Sequence, residues 1–242
     1  MSALVDGARS LGIDLTSRQL AQLDQFGAML REGNQRVNLT RITNPAEIET
    51  RHFLDSLTAA MPLLEPLQAG RDLRLVDVGS GGGIPGIPLK IAFPQIRVSL
   101  VESVRKKADF LRQTIAQLQL TDVDVLAARA ETAARDPTHR DAYDWATARA
   151  LGSLPVVIEL CAPFLLPGGL LVAQRGGNLD ADLAAAAPAF KALKLWARVP
   201  MPIHVEGLST DGRRGLIVGE KYAATPETYP RRPGMARKRP LA

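Results

Sequence analysis

The chain of 242 residues holds a single cysteine, Cys161. No intrachain disulfide can form, and a cysteine-based zinc site is excluded; a reducing, cytoplasmic setting is expected. There are three histidines. His139 and His204 stand too far from other ligand types in the sequence to suggest a metal site, so none is expected. No uncharged stretch reaches the roughly 18 residues of a membrane span. The opening segment carries Asp6, Arg9 and Asp14, so it lacks the apolar run of a signal peptide. At 46% hydrophobic and 23% charged, the chain has material for a real core and fits neither disorder nor a fibrous repeat. Its length suits one large domain with a smaller extension.

The charge is unevenly placed. Of the net +5, the last twenty residues hold +4: Arg231, Arg232, Arg237, Lys238 and Arg239 against Glu227. Such a tail reads either as a solvated, partly disordered end or as a contact for a polyanion such as RNA. A tail serving RNA alone could be removed without touching the rest of the site.

Helical patterning comes first. Thr16 and Gln19 have capping-box spacing, with Leu15 and Leu20 placed as a staple, and Leu20, Leu23, Phe26 and Leu30 follow at helical intervals. Asn44-Pro45-Ala46-Glu47 starts a second helix that runs to about Met61. From Arg71 the pattern alternates. Strands are expected at 73–78, 96–101, 123–127, 143–148, 170–173, 195–199 and 215–221. Helices are expected at 84–93, after a Ser103 cap, at 154–166 and at 179–193. This alternation implies an α/β fold with a mostly parallel, doubly wound sheet. The division is residues 1–70 as an N-terminal helical extension and 71–242 as the sheet domain, with its basic tail at 223–242.

The richest segment is Val76-Asp77-Val78-Gly79-Ser80-Gly81-Gly82-Gly83-Ile84-Pro85-Gly86. A glycine loop between the first strand and helix of such a sheet lets a ligand approach the backbone. A P-loop starting at Gly81 would need Lys where Ile87 stands, and a nucleophile elbow at Ser80 would need Gly at Val78. The dinucleotide fingerprint from Gly79 would need Gly at Ile84, which weakens a nicotinamide-dependent oxidoreductase. What remains is D-x-G-x-G-x-G at Asp77, Gly79, Gly81 and Gly83. An acid before the loop suits a ligand with a cationic end, such as S-adenosylmethionine, better than a pyrophosphate. Glu102 ends the second strand, where it can accept both hydroxyls of a ribose. Ala130-Glu131 stands past the third strand near the expected adenine position. Arg149 follows the fourth strand and points at the crevice beyond the carboxyl ends.

At this point the chain resembles the bacterial small-subunit ribosomal RNA methyltransferase G family, also called glucose-inhibited division protein B. The resemblance rests on Asn38-Leu39-Thr40, Arg51-His52-Phe53-Leu54-Asp55-Ser56-Leu57 and Asp77 through Leu89. It continues in Glu102 with Lys106-Lys107, Arg129-Ala130-Glu131, Ala148-Arg149-Ala150 and Tyr229-Pro230-Arg231-Arg232-Pro233-Gly234. It implies a class I (Rossmann-like) methyltransferase that moves a methyl group from S-adenosylmethionine to guanine N7 of 16S ribosomal RNA, free or in a small-subunit precursor; a monomer is expected. Cofactor contacts would fall on Gly79, Ile84, Ala130, Glu131 and Arg149, with Asp77, Gly81 and Glu102 following from the general methyltransferase pattern. Arg51, His52 and Asp55 would face the reaction from the N-terminal helices, although a histidine in an apolar helix also reads as a packing residue. Arg175 stands where the family has Lys, Ala148 where it has Ser, and Ala236-Arg237-Lys238 lacks a proline. Arg175 joins Arg231, Arg232, Arg237, Lys238 and Arg239 as expected RNA contacts. A binding protein on a dead methyltransferase fold is the remaining alternative, which the intact loop disfavours.

Overall fold

A computed structural model describes residues 1–205, 208 and 214–241. Five helices precede the sheet: α1 (Ser2–Ser10), α2 (Ser17–Asn34), α3 (Pro45–Ile48), α4 (Asp55–Thr58) and α5 (Leu64–Gln68). At the start of α2 the Thr16 hydroxyl accepts from the Gln19 N–H, and the Gln19 side chain accepts in return from the Thr16 N–H at 2.8 Å. That is the expected capping box. Asn44 caps α3 by accepting from the N–H groups of Ala46 and Glu47, with Pro45 at the first helical position. α3 and α4 form one continuous rod, joined by a wider π-helical turn at Glu49–Leu54 that carries Arg51 and His52. α1 lies upstream of the expected helices, though Leu4, Ala8 and Leu11 at helical spacing, all buried, are its signal.

The sheet starts with β1 (Arg74–Val78), β2 (Arg97–Val101), β3 (Val123–Leu126), β4 (Tyr143–Ala148) and β5 (Leu165–Gly176). These five pair in parallel in the order β3-β2-β1-β4-β5. β6 (Leu195–Ala197), β7 (Met201–Pro202) and β8 (Arg214–Lys221) complete it, with β8 inserted antiparallel beside β5 and pairing β6 and β7. Chain order reverses between β1 and β4, which opens a crevice beyond their carboxyl ends. The crossover helices are α6 (Gly86–Ala92), α7 (Arg105–Gln117), α8 (Ala130–Ala133), α9 (Leu154–Cys161) and α10 (Leu179–Ala192), and α11 (Met235–Lys238) follows β8.

Strand alternation divides the core. Leu75 joins a cluster with Leu4, Phe26, Phe53, Ile87 and Leu111, so the N-terminal helices, α6 and α7 cover one face. Val76 joins a second cluster with Ile158, Phe164, Phe190 and Ala236, so α9, α10 and the C-terminal segment cover the other. Successive residues of one strand thus bury against opposite layers, as the period of two requires. The N-terminal helices share their core with the sheet.

Two expectations are corrected. The helix at 154–166 stops at Cys161, a 3-10 turn spans Ala162–Phe164, and β5 begins at Leu165. Pro167-Gly168-Gly169 is therefore inside the strand, where register shifts along β4; a Cβ on Gly169 would meet the Tyr143 carbonyl at 2.9 Å. Nor does Ser103 cap α7. Val104 holds the cap position, and its N–H donates to the Glu102 carboxylate at 2.7 Å. Among the described residues no helix is long and apolar enough to cross a membrane, and no cluster could hold a metal ion.

Candidate active site

Two cavities adjoin beyond the carboxyl ends of the parallel strands. The first, of about 360 Å³, is lined by the glycine loop after β1, by Glu102 after β2, by Ala130 and Glu131 after β3, and by Arg149 to Leu151 after β4. The second, of about 340 Å³, lies between the α3–α4 rod and the ends of β5 and β8, with Asp55, Gln174, Arg175 and Arg214 in its wall. Arg149 and Ala150 line both.

The loop takes its shape from glycine. Gly79 and Gly81 have φ of +74° and +57°, which side chains rarely tolerate. A Cβ on Gly79 would come within 2.6 Å of Leu151 Cδ1, whereas one on Gly81 would project into the cavity, meeting only the Gly79 carbonyl at 3.8 Å. The missing side chain at Gly81 is thus space for a ligand. Glu102 secures the loop from below: its Oε2 accepts from the Gly81 N–H at 3.0 Å. A carboxylate held at the cavity wall beside an open backbone is the acceptor that the hydroxyls of an adenosine ribose need. The site therefore fits S-adenosylmethionine.

Asp77 has a different place from the one expected. It is fully buried and does not line the cavity. Its Oδ2 accepts from the N–H of Gly86, the first residue of α6, at 3.0 Å, while Oδ1 has no partner. Burial pushes this carboxyl up to about 7, and the Gly86 bond pulls only partly back. Asp77 shapes the loop by pinning the helix that follows. Ile84 also stays outside the cavity wall, packed against the core. Gly79, Gly81, Glu102, Ala130, Glu131 and Arg149 are brought together around one space.

The three residues from the N-terminal rod separate. Asp55, only 2% exposed, joins two arginines: Arg149 Nη1 at 3.4 Å and Arg214 Nη1 in closer contact. Arg149 also donates to the Arg51 carbonyl at 2.8 Å. Burial works against the Arg149 charge and Asp55 offsets it. Arg51 itself turns outward to Glu47 at 3.0 Å. His52 is buried, with Nε2 2.7 Å from the Thr40 hydroxyl and Nδ1 3.3 Å from the Arg51 carbonyl. The Arg51 carbonyl can only accept, so we assign the proton to Nδ1, and Nε2 then accepts from the Thr40 hydroxyl. Burial and the nearby Arg149 charge lower the His52 pKa to about 4. His52 is neutral near pH 7 and engaged in packing.

The basic tail is folded onto the body. Arg140 donates to the carbonyls of Thr225 and Tyr229 at 2.8 and 3.0 Å, and Arg135 to that of Pro230 at 2.6 Å. Arg231 grips Glu159, which is wholly buried on α9. Arg175 is likewise engaged, with Asp182 and the Gly152 carbonyl. Both guanidiniums are thus held by carboxylates, and Arg175 still lines the second cavity. Arg232, Arg237, Lys238 and Arg239 remain exposed. Gly234 and Arg237 line the first cavity, so the tail is not separable from the loop site. Sequence reasoning missed Gly234 and Leu151 in that cavity, and Arg237 as part of it. It also missed Gln174 and Arg214 in the second. Gln174 lies near the carboxyl end of a parallel strand, a position that could have singled it out. Nothing local marks Arg214, and Gly234 stands in the sequence only as the end of the Tyr229–Gly234 stretch.

The family model described as rRNA small subunit methyltransferase G matches residues 19–200. A curated relative of that name from Pelotomaculum thermopropionicum is 43% identical over 236 residues, spanning 98% of this chain and 96% of the relative. Another, from a Roseiflexus species, is 44% identical over 243 residues and 100% of both chains. Among solved structures, geranyl diphosphate C-methyltransferase from Streptomyces coelicolor, in complex with S-adenosyl-L-homocysteine, aligns with a TM-score of 0.51 at 17% identity. That alignment covers 73% of this chain and 82% of the other, and at such identity it shows the fold, the class I methyltransferase architecture.

Proposed function

This chain belongs to the rRNA small subunit methyltransferase G family, and from that membership we propose that it transfers a methyl group from S-adenosylmethionine to N7 of a guanine in 16S ribosomal RNA. The observation that carries the proposal is the pair of adjoining cavities with Arg149 in the wall of both. One has the shape and carboxylates for an adenosine; the other is rich in guanidinium groups and suits a nucleotide with its phosphate.

S-adenosylmethionine supplies an electrophilic methyl group on a sulfonium. The Glu102 carboxylate would accept the ribose hydroxyls, and Gly79 and Gly81 would let the ligand lie against the backbone. Guanine N7 carries an in-plane lone pair and loses no proton on attack, so a general base is unnecessary. A neutral, hydrogen-bonded His52 agrees with that chemistry. The remaining task is alignment, which can supply up to roughly 7–11 kcal/mol of the barrier. Arg149, tied to Asp55 and to the Arg51 carbonyl, holds the boundary where the two ligands meet. As the purine gains positive charge, the Asp55 carboxylate offsets the guanidiniums around it. The substrate side extends to Arg232, Lys238 and Arg239, exposed cations of the docked tail suited to RNA phosphates. We take the working form to be a monomer.

The test is enzyme-dependent methyl incorporation into small-subunit RNA, followed by borohydride and aniline. Cleavage at one guanine is expected, because reduced N7-methylguanine opens its ring. Incorporation without that cleavage means another atom is modified.

A further inference from the structure

We propose that Gly234 to Arg237 forms a wall of the cofactor cavity and that Arg237 contacts the bound adenosine directly. The inference rests on the S-adenosylmethionine reading of that cavity. The Gly234 N–H donates to Glu131 Oε1 at 2.8 Å, and Arg237 Nη2 donates to the Leu151 carbonyl at 3.2 Å. Glu131 follows β3 and Leu151 follows β4, and both residues line the cavity. One helical turn of the tail therefore bridges the space between two loops of the ligand site. Gly234 and Arg237 are three residues apart and share a face. On the other side of that turn Ala236 is buried against the second core cluster. The Arg231–Glu159 pair fixes the segment just upstream.

The chemistry suits adenosine rather than phosphate. S-adenosylmethionine has no phosphate, so a cation at the adenosine end cannot serve there as a phosphate clamp. A guanidinium is planar and weakly hydrated, and it stacks on a flat aromatic ring while donating along its edge. Glu131, already held by Gly234 through Oε1, keeps its other oxygen for the ligand.

The experiment is calorimetry with S-adenosylhomocysteine on the full chain, comparing wild type with Arg237→Ala, Arg237→Lys and Lys191→Ala. Arg237 is exposed, so its variants should fold, which unchanged thermal melting would verify. Arg237→Ala should weaken binding about fivefold to tenfold, the size of a partly desolvated cation–π contact. Arg237→Lys should recover only part of this, and Lys191→Ala, an exposed cation on α10, should leave binding unchanged. Hydrogen exchange at residues 231–238 should slow when the ligand binds. Wild-type affinity in Arg237→Ala, with RNA binding reduced instead, overturns the proposal and makes Arg237 a phosphate contact. Equal weakening by Arg237→Ala and Lys191→Ala also overturns it, since only net charge would then matter. If the wild type itself does not bind S-adenosylhomocysteine, the cofactor reading has failed first.

Discussion

Replacing Arg231 with alanine separates a structural arginine from an RNA-binding one. Glu159 sits on α9 with no exposed surface. Its Oε1 accepts from the Arg231 Nε at 2.8 Å and from the Arg231 backbone N–H at 3.1 Å, and its Oε2 accepts from Nη2. Alanine keeps the backbone donor and removes the other two. Two charge-assisted bonds at about 1.5–3 kcal/mol each set the upper end of the loss. Water entering as the tail loosens returns part of it. A loss of about 3–5 kcal/mol is expected, the usual result of leaving a buried charge without its partner. Urea unfolding measures it, and limited proteolysis within residues 223–241 should accelerate in parallel. Because an apolar pair of similar volume can replace a buried ion pair, Glu159→Leu with Arg231→Met should recover most of that loss, short of what the Arg231 backbone N–H gives up without its Glu159 acceptor. A loss below about 1 kcal/mol in Arg231→Ala, the range of an exposed pair, would refute this reasoning. Weaker RNA binding at unchanged stability would refute it more directly.

Two further outcomes concern the ligand loop. Glu102→Ala removes a charged acceptor worth about 1.5–3 kcal/mol toward the ribose, so calorimetry should find S-adenosylhomocysteine bound at least ~10-fold more weakly; unchanged affinity in a folded variant counts against the assignment. Asp77, raised to about 7 from 3.8, holds a proton in the folded state that the unfolded chain has released across that interval. Its contribution to stability therefore falls as pH rises from about 4 to about 7 and is level above. Asp77→Asn keeps an acceptor for Gly86 and has nothing to titrate, so in urea midpoints across that range the wild type should lose stability relative to the variant. His52, lowered to about 4, gives an opposite slope that both proteins share and that cancels in the difference. Parallel curves for variant and wild type would exclude Asp77 as the source of that loss.

Much of this protein is legible where the responsible residues are neighbours in the chain. The Thr16–Gln19 capping box and the Asn44-Pro45 helix start depend on contacts within a few residues. The alternation that gives two buried faces to β1 is local as well. The spacing Asp77, Gly79, Gly81 and Gly83 excludes rival loops before any tertiary contact is considered, but the Asp77 carboxyl is buried away from the cavity, so the ligand class rests on the family resemblance. Pro167-Gly168-Gly169 misleads for an instructive reason: it reads as a helix stop, yet β4 pairs along it and only glycine fits against the Tyr143 carbonyl.

Tertiary structure decided the roles of individual charges. Asp77 has the expected sequence position, but burial and a bond to Gly86 turn it into a support for the loop. Arg231 and Arg237 look alike in a basic tail. One meets Glu159 across 72 positions and the other meets Leu151 across 86. Arg214 reaches Asp55 only because β8 inserts antiparallel beside β5 and begins near the α3–α4 rod. A charge takes its energy from desolvation and from the partner it meets, and both depend on segments far away in the chain. Helix starts and glycine turns depend on backbone preferences within a few residues, and those are already present in the sequence.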